Sequence, residues 1–380
     1  MTQESPLSIG RRDFLIKAGL LGLSGPALLA ACGGSTKSTA TGAATGKGQK
    51  VNIASWPFYI ENDQAPKEGA TIKGFMAATG YDVDYQTAVE DNVSFTEKFA
   101  PDLKAKKAIG FDVVVLTSWE CANWIRNGWA AEIPAAKLPN KKNLLARLGA
   151  PDFDPTRKFT LPYALGQVGI AYYPDKVGFE IKSMKDFLKP ELKGKTTILS
   201  EMRDSVGMFL LMQGVKPETA TVDQMNTAIA EIKKYRDQGH FKKITGNSYT
   251  EDLNLGDTWA AIAWSGDVAA IQEKQPGLKW VLPSEGAMSF VDTFMIPKGG
   301  NVDAGAAWIN YLYDPKVSGP LFEAISYVSP VKGAGESMSD KGKTSPLVNP
   351  PASADIHEFR SLTEDEAAKV EEAFAAATQQ

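Results

Sequence analysis

Histidine and cysteine are scarce in this chain of 380 residues, with two of each. Cys32 and Cys121 cannot build a disulfide framework. His240 and His357 stand far apart with no zinc-ligand spacing around them, which excludes a structural zinc module. A basic surplus is missing as well: the formal net charge is −4, which argues against a nucleic-acid partner. The sequence contains no Gly-x-Ser-x-Gly elbow, phosphate loop, Gly-x-Gly-x-x-Gly turn or His-Glu-x-x-His helix, so no cofactor and no metal are expected. Cys121 has no histidine near it in sequence and reads as a buried structural thiol. Long hydrophobic runs are also absent. The one extended apolar region, Ala18 to Ala31, is interrupted by Ser24-Gly25-Pro26 and falls short of the ~20 residues of a membrane span.

That apolar region has its own pattern. Arg11-Arg12, followed by Phe14 and Leu15, resembles a twin-arginine export signal. Leu29-Ala30-Ala31-Cys32 resembles a bacterial lipobox, in which the cysteine is lipidated and becomes the first mature residue. Residues 1–31 are therefore expected to be a removed signal. Residues 32–50, rich in Gly, Ser, Thr and Ala, are expected to be a disordered tether with a reach of roughly 20–25 Å. The mature protein is then expected on the outer face of the cytoplasmic membrane, held there by lipid on Cys32.

From Val51 onward, short apolar strands alternate with amphipathic helical stretches. Strands are predicted at 51–54, 82–85, 111–116, 196–199 and 260–264. Helices are predicted at 69–79, 95–107, 119–127, 205–213 and 268–274. This alternation predicts an α/β protein with mostly parallel sheets flanked by helices. Hydrophobic residues make up 43% of the chain, enough for a sizeable core, and 380 residues suffice for two domains. No internal repeat and no long linker follow residue 50.

In such folds ligands bind beyond the carboxyl ends of the strands. Those positions carry Ser55-Trp56-Pro57-Phe58-Tyr59, Thr117-Ser118-Trp119-Glu120, Ser200-Glu201-Met202-Arg203-Asp204 and Trp264-Ser265-Gly266-Asp267. Asp204, Asp267 and Thr117 or Ser118 also suit helix N-caps. Trp56, Trp119 and Trp264 also suit core packing, and Arg203 suits an ion pair with Glu201 or Asp204. Asp292 is different. It stands inside the apolar run Ser289 to Pro297, where a carboxylate is costly unless paired. Aromatic faces and carboxylates recurring at equivalent strand ends suit a flexible cation with a methylene chain, through cation–π contact and charge-assisted hydrogen bonds. Carboxylates beside aromatics also suit a glycosidase pair.

The segments SWPFYI, FDVVVLTSWECANWIRNG, FTLPYALGQVGIAYY, KPELKGKTTILSEMRDSVGM, AWSGDVAAI, LPSEGAMSFVDTFMIPKG and ISYVSPVKG, in this order and spacing, resemble the polyamine-binding proteins of bacterial ABC importers, the spermidine/putrescine receptors. The resemblance runs from about Val51 to the C-terminus. It implies a non-enzymatic, two-lobed periplasmic-binding-protein fold of type II, with ligand in the cleft between lobes. Residues 51–162 plus 290–333 would form the first lobe, and 163–289 plus 334–380 the second. Crossings would fall near Pro162–Ile170, Ser289–Asp292 and Gly333. It further implies an aromatic box of Trp56, Tyr59, Trp119, Trp264, Phe290 and Tyr327. The implied ammonium-binding acids are Glu201, Asp204, Asp267 and Asp292, with Thr117 holding one end of the ligand. The expected partners are a polyamine (putrescine or spermidine) and a membrane permease, the protein itself being a monomer. Pro57-Phe58 and Phe290 depart from the family pattern. Arg360, if it faced the pocket, would oppose a second ammonium. A receptor of the same fold for an amino acid, an opine-like compound or a sugar, a non-transport sensor, and a surface hydrolase are the rival readings.

Overall fold

The computed structural model describes residues 46–345, 347–350 and 354–379. The signal segment, Cys32 and most of the tether lie outside them. The end of the tether does not follow the expectation of disorder. Gly46–Gln49 form a turn in which Gly46 N–H donates to the Thr79 carbonyl at 3.1 Å, and the first strand starts at Lys50. Among the described residues no helix is long and apolar enough to cross a membrane.

Among the described residues, ten strands form one continuous mixed sheet. They are β1 (Lys50–Ser55), β2 (Asp82–Thr87), β3 (Val113–Thr117), β4 (Thr160–Tyr172), β5 (Thr196–Leu199), β6 (Phe241–Thr245), β7 (Ala260–Trp264), β8 (Lys279–Val281), β9 (Ala287–Met295) and β10 (Ile356–Glu358). Their order is β2-β1-β3-β9-β4-β7-β5-β6, with β10 on β9 and β8 on β4. The pairs β1–β2, β1–β3, β5–β6 and β5–β7 are parallel, as strand–helix alternation requires. The β3–β9, β4–β9 and β4–β7 pairs are antiparallel.

The five strands expected from sequence are all present. The helices after β5 and β7 begin about three residues earlier than expected, at Met202 and Ser265. Their polar leading residues are the first turn itself rather than a preceding loop. The helix expected from 95 likewise starts at Asn92, because the Asp91 side chain accepts from Ser94 N–H and caps it.

The long strands β4 and β9 were visible in the sequence only as crossing segments. All 13 residues of β4 are buried, which accounts for its near-continuous apolar composition. Two hydrophobic cores lie along these strands. Val51, Ile53, Phe75, Leu116, Leu161, Phe294 and Trp308 belong to the first. Val168, Ile198, Phe209, Ile262 and Met288 belong to the second, which the C-terminal helix (Glu364–Thr378) completes with Val370 and Phe374. β4 leaves the first core after Ala164 and enters the second at Val168, while β9 passes from Met288 to Phe294 in the opposite direction.

One boundary differs from the sequence reading, which gave 334–380 to the second lobe. Ala334, Met338 and Val348 pack in the first core. The helix Pro315–Ile325 holds this segment through Glu323, which accepts from Ser339 N–H at 2.8 Å. Phe294 is buried on β9 and packs on Tyr163 with ring centroids 4.3 Å apart. Phe294→Ala should cost about 3–5 kcal/mol, read as a lowered denaturant midpoint.

Candidate ligand-binding cleft

The carboxyl ends of β1, β3, β5 and β7 open onto one cleft of about 830 Å³, with β9 running along its floor. All eleven candidate residues line it: Trp56, Tyr59, Thr117, Trp119, Glu201, Asp204, Trp264, Asp267, Phe290, Asp292 and Tyr327. The lining carries twelve carboxylates against five arginines, a field that favours cations.

Asp292 is 3% exposed and sits in β9, paired with Thr117 of β3 on one side and Ala164 of β4 on the other. The Thr117 hydroxyl donates to its Oδ1 at 2.8 Å, and the Tyr59 hydroxyl donates to its Oδ2. Asn92 Nδ2 in turn donates to Thr117 Oγ1 at 2.9 Å. The β4–β9 register shifts between Pro162 and Ala164, leaving Tyr163 as the extra residue beside Asp292. Tyr163 uses its hydroxyl to bind the Tyr59 carbonyl, fixing the loop that delivers the Tyr59 hydroxyl. Burial lifts the Asp292 carboxyl to about 6, and the two hydroxyl donors pull it back.

Asp267 and Asp204 occupy the first turns of the helices after β7 and β5. Neither is an N-cap; those positions fall to Trp264 and Glu201. Asp267 accepts from the Tyr249 hydroxyl at 2.8 Å and from Asn247 Nδ2 at 3.1 Å. Asp204 accepts from Trp264 Nε1 at 2.7 Å. Burial raises both carboxyls to about 7. Asn247 and Tyr249 were not anticipated. They follow β6 in the run Thr245-Gly246-Asn247-Ser248-Tyr249, a strand end of the same kind as the others.

The aromatic walls depend on two glycines. An added methyl at Gly166 on β4 would overlap the Phe290 ring, and one at Gly266 would overlap the Tyr327 ring. Both rings therefore press directly on backbone. Tyr59 meets Tyr327 edge-on at 4.8 Å, and Trp264, Phe290 and Tyr327 continue the wall at centroid spacings of 6.4 and 6.5 Å. Trp56 is buried, with Nε1 unpartnered.

Three residues are placed differently from what an open binding position would need. The Arg203 guanidinium stacks on Trp119, 3.8 Å from the ring centroid. It also lies 3.7 Å from Glu201 and 3.1 Å from Glu371. Trp119 thus already carries a cation on one face. Glu201 caps its helix by accepting from Arg203 N–H, and is the ion-pair partner of Arg203 rather than a free acid. Burial pushes its carboxyl upward, and the Arg203 guanidinium pulls it back down. Arg360 lines the cleft, but its charge is paired within the chain. Its two terminal nitrogens bind Glu366 at 2.8 and 3.0 Å and its Nε binds the Ala220 carbonyl at 2.7 Å. Among the described residues no cluster of three or more histidine, cysteine or acidic side chains is arranged to hold a metal.

Carboxyls held at about 6 to 7 by burial, against about 3.9 for an ordinary Asp, make the folded protein bind more protons than the unfolded chain. Their contribution to stability is full below about pH 4 and is lost as pH rises through 6 to 7. A bound cation selects the ionised forms. Its affinity should therefore rise between pH 5 and 8, and binding below pH 7 should release protons, seen as a buffer-dependent enthalpy in calorimetry.

A family model described as "Bacterial extracellular solute-binding protein" matches residues 70–350. The chain is 28% identical to the putrescine-binding periplasmic protein SpuD of Pseudomonas aeruginosa (strain UCBPP-PA14), over 79% of this chain and 83% of that protein. It is 27% identical to the putrescine-binding periplasmic protein PotF of Escherichia coli (strain K12), over 87% and 91%. Its fold is similar to that of the TpPotD lipoprotein of Treponema pallidum, with a TM-score of 0.73 at 19% identity, over 87% of this chain and 99% of that one.

Proposed function

Because the chain belongs to the bacterial extracellular solute-binding proteins, we propose that it is the polyamine receptor of an ABC importer. It captures a diamine such as putrescine, or spermidine, between its two lobes and delivers it to a membrane permease without turnover. The observation that carries this reading is Asp292. Its carboxylate is buried, held by the Tyr59 and Thr117 hydroxyls, and set among aromatic rings. One ammonium sits there, and the second sits among Asp267 and Asp204, each of which keeps an oxygen without a protein donor among the described residues. The methylene chain lies against Tyr59, Tyr327, Phe290 and Trp264.

Calorimetry with putrescine, spermidine and spermine tests this. At least one should bind saturably, and Asp292→Asn should weaken it about 100-fold, the scale of a lost hydrogen bond to a charged group. Absence of binding to all three at millimolar concentration would overturn the reading.

The protein is exported and acts at the membrane surface as a monomer, through lipid on Cys32. The apolar segment ending in Leu29-Ala30-Ala31-Cys32 and the polar stretch after it support this. In fractionated cells, Cys32→Ala should move the protein from the membrane to the soluble exported fraction; an unchanged membrane association would count against the anchor.

A second reading has one observation in its favour. Trp56 Nε1 and Trp119 Nε1 are buried at the cleft without acceptors. A solute that brings its own acceptor, such as an amino acid or an opine-like compound, would use these donors. Competition between such a compound and putrescine, with Asp292→Asn leaving its affinity unchanged, would favour this alternative.

A further inference from the structure

Asn247 has a hydrogen-bonding group with no use inside the protein. Its amide orientation is set by Nδ2, which donates to Asp267 Oδ2 at 3.1 Å. The same oxygen of Asp267 takes the Tyr249 hydroxyl at 2.8 Å. Asn247 Oδ1 is then turned away from Asp267, buried, and left without any donor. A buried, unpaired carbonyl costs on the order of 1–3 kcal/mol, so the position calls for a partner from outside the chain. The residue lines the cleft, beside Gly246. Asp267 Oδ1 also has no donor among the described residues. Asn247 Oδ1 and Asp267 Oδ1 are thus two acceptors left open on side chains that a hydrogen bond joins.

We propose that Asn247 is a ligand-binding and specificity-determining residue, its Oδ1 accepting one N–H of the ammonium whose charge Asp267 neutralises. The inference rests on the polyamine reading above and assigns the second end of the ligand. An ammonium with two or more N–H groups satisfies both acceptors at once. A hydroxyl has a single hydrogen and satisfies one. A carboxylate has no hydrogen to give and meets two acceptors. The pair therefore selects an amine terminus over the alcohol or acid that would occupy the same space. Tyr249 and Trp264 hold the arrangement in place: the Tyr249 hydroxyl receives Trp264 N–H at 3.0 Å while donating to Asp267.

The alternative role for Asn247 is only to steady Asp267 through Nδ2, and two substitutions separate the roles. Asn247→Ala removes both the acceptor and the donor. Asn247→Asp keeps an acceptor at Oδ1 and loses the amide N–H that Asp267 accepts. In titration calorimetry at pH 8 with putrescine, Asn247→Ala should bind about 10-fold more weakly than the unaltered protein. Asn247→Asp should recover at least that 10-fold relative to Asn247→Ala. An Asn247→Ala affinity within 2-fold of the unaltered protein overturns the inference. So does an Asn247→Asp protein that binds no better than Asn247→Ala, since only the steadying role predicts that order. If the unaltered protein binds no polyamine, the receptor reading fails and takes this inference with it; the first two outcomes leave that reading standing.

Discussion

The antiparallel ladder between β4 and β9 runs from Thr160 opposite Met295 to Val168 opposite Met288, and both hydrophobic cores are built against it. A strand pair shared in this way couples the position of one lobe to the position of the other through backbone hydrogen bonds. It also explains where the functional side chains come from. β3 approaches β9 on the first-lobe side and β7 approaches β4 on the second, so the ends of parallel strands from both lobes converge on the same stretch of ladder. Phe290 packs against both cores, and Asp292 lies two residues along. The bulge at Tyr163 falls opposite this stretch and turns the ladder where the cleft needs its floor.

Within that frame the acids are kept out of water before any ligand arrives. Burial pushes Asp204, Asp267 and Asp292 toward the neutral form, and the hydroxyl, amide and indole donors only partly offset it. The site is thus poor in stabilised charge when empty and complementary to a cation when full. Arg203 shows the same logic from inside the chain: where Trp119 and Glu201 meet, the protein supplies its own cation.

Much of this was legible in the sequence because the signal sits at strand ends. Trp56, Tyr59, Thr117, Trp264 and Asp267 follow apolar runs at the spacing of an α/β fold, and Asp292 interrupts one. The resemblance to polyamine receptors added Tyr327, which has no such local mark. What was hidden depended on distant partners. Arg360 looked like an obstacle until Glu366, six residues on, was seen to hold it. Glu201 stood open in the sequence between a ligand acid and an ion-pair partner of Arg203, because helix capping by a glutamate and stacking of Arg203 on Trp119 leave no pattern along the chain. Asn247 and Tyr249 escaped because their strand end carries small polar residues instead of tryptophan. Ala334, Met338 and Val348, expected in the second lobe, pack in the first core, and nothing local marks the contact of Ser339 with the helix at 315–325.

The rings seated on Gly166 and Gly266 divide the pocket's positions by how freely they can vary. The width of the aromatic slot is set by main chain, since any side chain at either glycine would evict the ring that lies on it. The rings themselves come from Phe290 and Tyr327, on other segments, and each can be exchanged for another side chain without moving its seat. Solute preference is therefore open to change at the two ring positions and closed at the two glycines. The main chain is a fixed gauge, and the selectivity is written on top of it.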